Sequence, residues 1–200
     1  VRFSIFQFVW GIRDLREISL HILDIMQNSK AAQARVIKVV ITVESGKSML
    51  RIVIEDDGCG MDSKVLAKVT DPFTTGRTTR RVGLGIPLFK ASAEQSGGDF
   101  AISSQKDVGT VVRARYEINS IDRPPIGDLP GVIADMAAGY PTVEIHLQLE
   151  NGDRQFVFNS REVKQVLGDV PLSEFEVIVW LREYISEGLK EIFGGVLSEI

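Results

Sequence analysis

The sequence feature that most constrains the fold is a run of β-branched residues that stops abruptly at acids and glycines. The residues Ile52, Val53 and Ile54 are followed by Glu55-Asp56-Asp57-Gly58-Cys59-Gly60. This pattern predicts a buried strand that delivers a carboxylate to a turn. Two glycines separated by one residue indicate that something approaches the backbone of this turn closely.

A second polar stretch follows a short distance along the chain. Four threonines and three arginines lie within residues 74–81, and Gly83-Leu84-Gly85 directly precedes an apolar helical pattern. Exposed N–H groups at a helix start, glycines without side chains and guanidinium groups together favour an anion site. A carboxylate that can accept from an amino group, followed by a phosphate site, indicates a nucleotide. No Gly-x-x-x-x-Gly-Lys-Ser/Thr sequence occurs, so the pattern differs from a P-loop.

The first predicted helix, Leu15 to Ala34, has polar residues on one narrow stripe. Glu17, His21, Asp24 and Asn28 have the spacing i, i+4, i+7 and i+11, and apolar residues border them. We expect this stripe to face a polar site inside the fold, with Asp14 capping the helix. The amide oxygen of Asn28 suits Mg²⁺, and Asp24 can reach the same site from one turn earlier. His21 is open to two interpretations, a phosphoacceptor or a hydrogen-bonded core histidine, and the second is favoured.

The remaining patterns predict an α+β fold. A hairpin is expected from residues 35–44 and 49–55, a short helix capped by Asp62, a helix from Gly85 to Gln95, and two further strands. This order predicts a two-layer sandwich with helices on one face of a largely antiparallel sheet. Pro, Gly and Asp make residues 119–131 a predicted linker. The predicted units are an N-terminal arm at 1–14, the main domain at 15–118, and a hairpin-plus-helices extension at 132–200 that packs on the main domain or on a second copy.

Composition narrows the classes of protein. The formal net charge of -4 argues against a nucleic-acid binder, and the single Cys59 excludes an intrachain disulfide. Because no stretch approaches the roughly 20 apolar residues of a spanning helix, we expect a cytoplasmic protein that does not bind a membrane.

The motifs resemble those of the GHKL ATPases over residues 15–118. The resemblance rests on Asp24 with Asn28, Asp56-x-Gly58-x-Gly60, Asp71-Pro72-Phe73, Gly83-x-Gly85 and Gly109-Thr110, in the family's order. That group includes sensor histidine kinases, gyrase B subunits, heat-shock chaperones, mismatch-repair ATPases and anti-sigma serine kinases. The resemblance implies a Bergerat-type fold that binds ATP and Mg²⁺.

The resemblance also implies roles for individual residues. The Asp that matches Asp56 contacts adenine in the family, and the Asn that matches Asn28 binds the metal; the alternative for Asp56 is an acidic turn residue. Family members carry Glu or Asn at the position of Asp24. Since Asp is one methylene shorter than Glu, Asp24 either activates the attacking water as the catalytic base or only orients a metal-bound water. The predicted nucleotide-binding residues are Asn28, Asp56, Gly58, Gly60, Met61, Phe73, Thr74, Thr75, Arg77, Gly83, Leu84, Gly85, Ile86 and Thr110.

Two functions follow as expectations. The first is a Mg-ATP-binding ATPase or protein kinase that acts on a partner protein, because the sequence shows no separate helical hairpin with a phosphoacceptor His. The second is a non-catalytic, ATP-gated interaction module. A homodimer is compatible with either function.

Overall fold

A computed structural model describes residues 17–44, 46, 48–69 and 85–197 of the chain. The predicted N-terminal arm lies outside these residues. The described part contains six helices and six strands. The helices are α1 (Ile18–Ala31), α2 (Ser63–Val69), α3 (Gly85–Gln95), α4 (Leu129–Gly139), α5 (Ser160–Leu167) and α6 (Phe175–Phe193), and the strands are β1 (Val36–Glu44), β2 (Met49–Asp56), β3 (Asp99–Gln105), β4 (Gly109–Glu117), β5 (Glu144–Asn151) and β6 (Arg154–Asn159).

The six strands form one mixed sheet in the order β3-β4-β2-β1-β5-β6. All neighbouring strands are antiparallel except β1 and β5, which are parallel, with Val36 opposite Glu144 and Val43 opposite Asn151. The predicted hairpin between β1 and β2 and the pairing of β3 with β4 are confirmed. The predicted α+β class with a largely antiparallel sheet is therefore confirmed.

One face of the sheet carries the core. In β1, β2 and β5 every second residue is buried, and the register places Val39 next to both Ile54 and Leu147 on this face. The alternation arises because successive side chains of a strand point to opposite faces. The opposite face carries polar side chains, including Thr42, whose hydroxyl donates to Glu150 over 2.8 Å. The helices therefore cover a single face, as the two-layer prediction requires.

The C-terminal segment continues the same sheet. Its hairpin, β5 and β6, joins through the parallel pairing of β5 with β1, and α4 and α6 cover it. Gly188 of α6 lies directly on the ring of Phe156, where a Cβ atom would overlap the ring. The predicted division at 118 and 132 stays a prediction, but the strands on its two sides share one sheet and one core.

The predicted linker holds the beginning of α1. The carbonyl oxygens of Pro125 and Ile126 accept from the backbone N–H groups of Ile18 and Ser19, over 2.9 and 2.8 Å. Glu17 has extended backbone angles and makes no side-chain cap, so α1 begins at Ile18 and not at the predicted Leu15. The predicted cap, Asp14, lies outside the described residues, and Glu17 occupies the capping position. The backbone carbonyls of residues 125 and 126 bond the first N–H groups of α1, a role that a capping side chain usually has.

Candidate functional site

Asp56 occupies the last position of β2 and is held by two hydrogen bonds. Its Oδ2 accepts from the Ser29 hydroxyl over 2.7 Å, and its Oδ1 accepts from the Gly58 N–H over 2.9 Å. Its exposed fraction is 9%. A carboxylate has about four acceptor positions, so two remain for a ligand. Asp56 is therefore a fixed acceptor at the end of a strand, as the sequence pattern predicts.

The neighbouring Asp57 has a structural role. Its Oδ1 accepts from the backbone N–H groups of Arg35 and Val36 over 2.7 and 2.8 Å. These bonds fix the start of β1 against the end of β2.

The glycines after Asp56 lie where no side chain fits. A Cβ atom on Gly58 would lie 2.9 Å from the carbonyl oxygen of Ala32. Gly60 has a φ of +60°, and a Cβ atom there would overlap the carbonyl of Gln105. Glycine is favoured at both places because it needs no room for a side chain, and at Gly60 also because it adopts positive φ without strain. The close approach predicted at this turn is made by the protein's own backbone, from α1 on one side and the β3–β4 turn on the other.

The last predicted residue of the site, Thr110, lies directly opposite Asp56 in the β2–β4 ladder. Its hydroxyl lies 2.9 Å from that of Ser104, which also accepts from the Met61 N–H over 2.8 Å. Ser104 thereby joins the turn after β2 to the beginning of β4. Asp56, Met61 and Thr110 thus lie at one end of the sheet.

Asp24 and Asn28 lie on adjoining turns of α1. The Asn28 amide Nδ2 lies 3.5 Å from Asp24 Oδ2, as the donor of a long hydrogen bond. Burial raises the pKa of Asp24 above the ordinary 3.8, and the Asn28 hydrogen bond opposes this shift. The Asp24 carboxylate lies directly against Gly85, the first residue of α3, so that a Cβ atom there would overlap it. Ile86 follows and is buried.

His21 does not lie on a polar surface, and the prediction that all four residues of the stripe face a polar site is wrong for this residue. Its ring is 1% exposed and stacks on Phe89, with 5.0 Å between centroids. Neither ring nitrogen has a hydrogen-bond partner among the described residues, so His21 is a core histidine but not a hydrogen-bonded one. Burial lowers its pKa from 6.5 to about 4.

Ser29 is the residue that the sequence interpretation missed. It is buried and donates to Asp56, and it also lies 3.0 Å from the carbonyl oxygen of Ile25. A signal was present, because Ser29 is the one polar residue that continues the buried spacing of Ile18, Ile22 and Ile25. A polar residue on an apolar helix stripe needs a buried partner.

Six predicted residues of the site lie outside the described part of the chain. The remaining eight, with Asp24, come from α1, the turn after β2, the start of β4 and the start of α3. Those outside are Phe73, Thr74, Thr75, Arg77, Gly83 and Leu84.

The described residues fit a magnesium ion that takes few ligands from the protein and most of them from phosphate and water. Asn28 is exposed, and its Nδ2 is engaged with Asp24, which leaves Oδ1 free as a ligand. Within the described ranges, no group of three or more His, Cys, Asp or Glu could hold a metal. Mg²⁺ commonly takes one or two protein oxygens and completes its shell with phosphates and water.

Comparisons with known proteins show the family of the chain. The model of the family described as "Histidine kinase-, DNA gyrase B-, and HSP90-like ATPase" matches residues 12–120. The histidine protein kinase DivJ of Caulobacter vibrioides is 28% identical over 133 residues, which cover 64% of this chain and 20% of DivJ. The signal transduction histidine-protein kinase AtoS of Escherichia coli is 30% identical over 105 residues, which cover 52% of this chain and 17% of AtoS. The chain therefore spans about a fifth of the length of these relatives.

The fold has a solved counterpart. The crystal structure of the N-terminal domain of a DNA repair protein matches 70% of this chain and 51% of its own, with a TM-score of 0.50 and 10% identity. That likeness concerns the fold alone. Because the family model covers more than half of the chain, the chain belongs to the histidine kinase-, DNA gyrase B- and HSP90-like ATPases and contains their ATP-binding domain.

Proposed function

We propose that the chain binds Mg-ATP and either hydrolyses it or transfers its γ-phosphate to a partner protein. The observation that carries the proposal is the contact between the Asp24 carboxylate and Gly85. This contact brings the one candidate base against the first turn of α3, where helix N–H groups favour phosphate. Asp56 is tied to the same helix through Ser29, five residues after Asp24.

The adenine end of the site rests on Asp56. Its two hydrogen bonds hold the carboxylate in one orientation before the ligand arrives, which lowers the entropic cost of binding. An exocyclic amino group can donate to a remaining acceptor position, whereas the carbonyl oxygen of guanine would face a carboxylate. Thr110, opposite Asp56, borders the same position.

The phosphate end rests on Asn28 and Asp24. When bound, Mg²⁺ would neutralise phosphate charge, with Asn28 Oδ1 as its protein ligand. The raised pKa of Asp24 makes its carboxylate a stronger base than an exposed aspartate. A rate that depends on this base should fall as pH decreases toward that raised pKa, at a higher pH than an ordinary aspartate would give.

The acceptor of a transferred phosphate is not His21. Its ring is packed against Phe89 in the core, and neither nitrogen is accessible. We place the acceptor on a partner protein and expect the reaction to take place in the cytoplasm. None of the described helices has both the length and the apolar character needed to cross a membrane.

Incubation with γ-labelled ATP and Mg²⁺ tests the proposal. We expect label to be released as phosphate, or to pass to a partner protein, and Asp24→Asn to slow the reaction by about a hundredfold or more, the usual contribution of a general base. Asp169→Asn, in an exposed loop, is the matched control and should leave the rate unchanged. Equal rates for wild type and Asp24→Asn would show that Asp24 is not the base.

The alternative is an ATP-gated interaction module. Two features of Asp24 favour it over catalysis: its side chain is one methylene shorter than that of Glu, and its hydrogen bond with Asn28 is long. In that case ATP binds, no label is released, and Asp24→Asn changes nothing except affinity. A protein that binds no ATP at all would contradict both functions.

A further inference from the structure

One face of α6 combines aromatic and acidic side chains. Glu176, Trp180, Glu183, Tyr184 and Glu187 have the spacing i, i+4, i+7, i+8 and i+11, which places them on one side of the helix. All five are exposed, Trp180 by 47% and Tyr184 by 38%. We call these five residues the α6 outer face.

The aromatic pair of this face is ordered. Trp180 and Tyr184 stack with 5.3 Å between ring centroids and an interplanar angle of 9°. Tyr184 also packs on Phe156 of β6, with 5.1 Å between centroids. The pair therefore forms a half-exposed aromatic surface beside β6.

The charge of the face is uncompensated within the described part of the chain. None of Glu176, Glu183 and Glu187 forms an ion pair there. Of the basic residues in α6, Arg182 bonds Asp135 of α4, and Lys190 lies one turn beyond Glu187. The three glutamates attract cations through their negative charge. The two aromatic rings add to this attraction, because an aromatic face favours a cation above it.

The neighbouring strand has an open edge. β6 is the last strand of the sheet and pairs only with β5 among the described strands. Its outer N–H and C=O groups form a template for one more strand. An added strand would run directly beside the α6 outer face, because Phe156 of β6 touches Tyr184.

We propose that β6 and the α6 outer face bind an extended, basic segment of a partner protein. The segment adds a strand at the edge of β6, and its lysine or arginine side chains lie over Trp180 and Tyr184 and among the three glutamates. Charge complementarity selects this occupant. A second copy would bring glutamates against glutamates, and nucleic acid or an anionic membrane would be repelled. This inference does not depend on the proposed function, because the surface lies on other elements than the nucleotide site.

A peptide of alternating lysine and valine, about six residues long like a typical strand, is the probe. Fluorescence anisotropy of the dye-labelled peptide should show binding at low ionic strength that weakens with salt, whereas a glutamate–valine peptide should not bind. Hydrogen exchange of the backbone of β6 should slow when the lysine–valine peptide is bound.

Two variants and a control locate the site. Trp180→Ala should weaken binding about two- to fivefold, the value of an exposed cation–π contact. Glu183→Gln with Glu187→Gln should weaken it about three- to tenfold, from two exposed ion pairs. Glu94→Gln with Glu117→Gln removes the same charge from exposed positions elsewhere and should leave binding unchanged.

Several results would overturn the proposal. These are the absence of lysine–valine binding, equal binding of the glutamate–valine peptide, an equal loss in the control variant, or unchanged exchange of β6. Light scattering that shows a dimer lost in Trp180→Ala would assign the face to a second copy instead.

Discussion

The two parts of the sheet use buried polar groups differently. Around the nucleotide site, His21, Ser29 and Asp56 are buried at the ends and edges of α1 and β2. In the C-terminal part, from α4 to α6, the one buried polar side chain among the described residues is Ser160, whose hydroxyl accepts from the Ile145 N–H over 2.9 Å. In the second arrangement the polar side chain bonds a backbone group at the start of β5, so it has a partner within the fold. The first leaves acceptor capacity on Asp56 unused, which is characteristic of sites built for a ligand. It also leaves the core histidine His21 without a hydrogen-bond partner among the described residues, which costs stability.

The glycines repeat this contrast. A Cβ atom on Gly85 would meet the carboxylate of Asp24, and one on Gly188 would meet the ring of Phe156. Glycine therefore leaves room for a charged group in one part and for core packing in the other. Matched substitutions in the two parts should separate effects on the nucleotide from effects on the fold.

The largest expected effect concerns His21. Its pKa is about 4 in the folded protein and 6.5 when it is free, so the unfolded chain binds the proton more readily between these values. Stability is therefore complete above pH 6.5 and falls by roughly 3 kcal/mol as pH decreases to about 4. Urea unfolding at pH 7.5, 6 and 5 measures this slope, which His21→Phe should reduce.

The protein has one other histidine, which provides the control. His146 lies in β5 and is partly exposed. If His146→Gln removes the pH dependence of the unfolding free energy and His21→Phe retains it, the histidine responsible would be His146 of the C-terminal part and not His21.

The next effect compares two adjacent carboxylates. Asp56→Asn should weaken ATP binding by about 1.5–3 kcal/mol, the value of a hydrogen bond to a charged group. The fold should survive, because the Ser29 hydroxyl can turn its proton to the Ile25 carbonyl and accept from the new amide. Asp57→Asn should leave ATP affinity unchanged, since among the described residues Asp57 bonds the backbone of Arg35 and Val36. Titration calorimetry decides; equal affinities for wild type and Asp56→Asn would contradict the adenine contact.

The third effect compares the glycines. Overpacking costs about 1–3 kcal/mol, and in Gly188→Ala this cost should appear in the free energy of unfolding with ATP affinity unchanged. In Gly85→Ala it should displace Asp24 and appear in ATP affinity. Thermal unfolding and calorimetry on both variants measure the two quantities. A Gly188→Ala protein with weakened ATP binding would show that the C-terminal part belongs to the site.

The smallest effect concerns Asn28, which is exposed and which we propose as one of several oxygen ligands of the metal. Asn28→Ala should abolish the gain in ATP affinity that Mg²⁺ provides, while metal-free ATP binds as before. Gln27→Ala, an exposed neighbour on α1, is the control. An Asn28→Ala protein that keeps its magnesium dependence would exclude Asn28 as the ligand.

Local patterns predicted the elements of the site well. The β-branched run before Asp56 and the glycines after it predicted a strand end and a tight turn, and Asp62 caps α2 through the N–H groups of Lys64 and Val65 as expected. These features depend on neighbours in sequence. Contacts between distant residues were not predictable in this way. Nothing in residues 144–151 indicates that β5 pairs in parallel with β1, and the spacing of α1 could not show that His21 would meet Phe89.

The pairing of β1 with β5 has a consequence for how the protein is made. Val36 cannot pair with Glu144, and Ile18 cannot bond the Pro125 carbonyl, until more than a hundred further residues have left the ribosome. Until then the nascent sheet presents β1 as a free edge, which invites pairing with other chains. A gene fragment that stops where the family match stops, at residue 120, would keep every described residue of the proposed nucleotide site and leave that edge permanently exposed. Such a fragment should aggregate during expression, whereas one that extends through β6 should not.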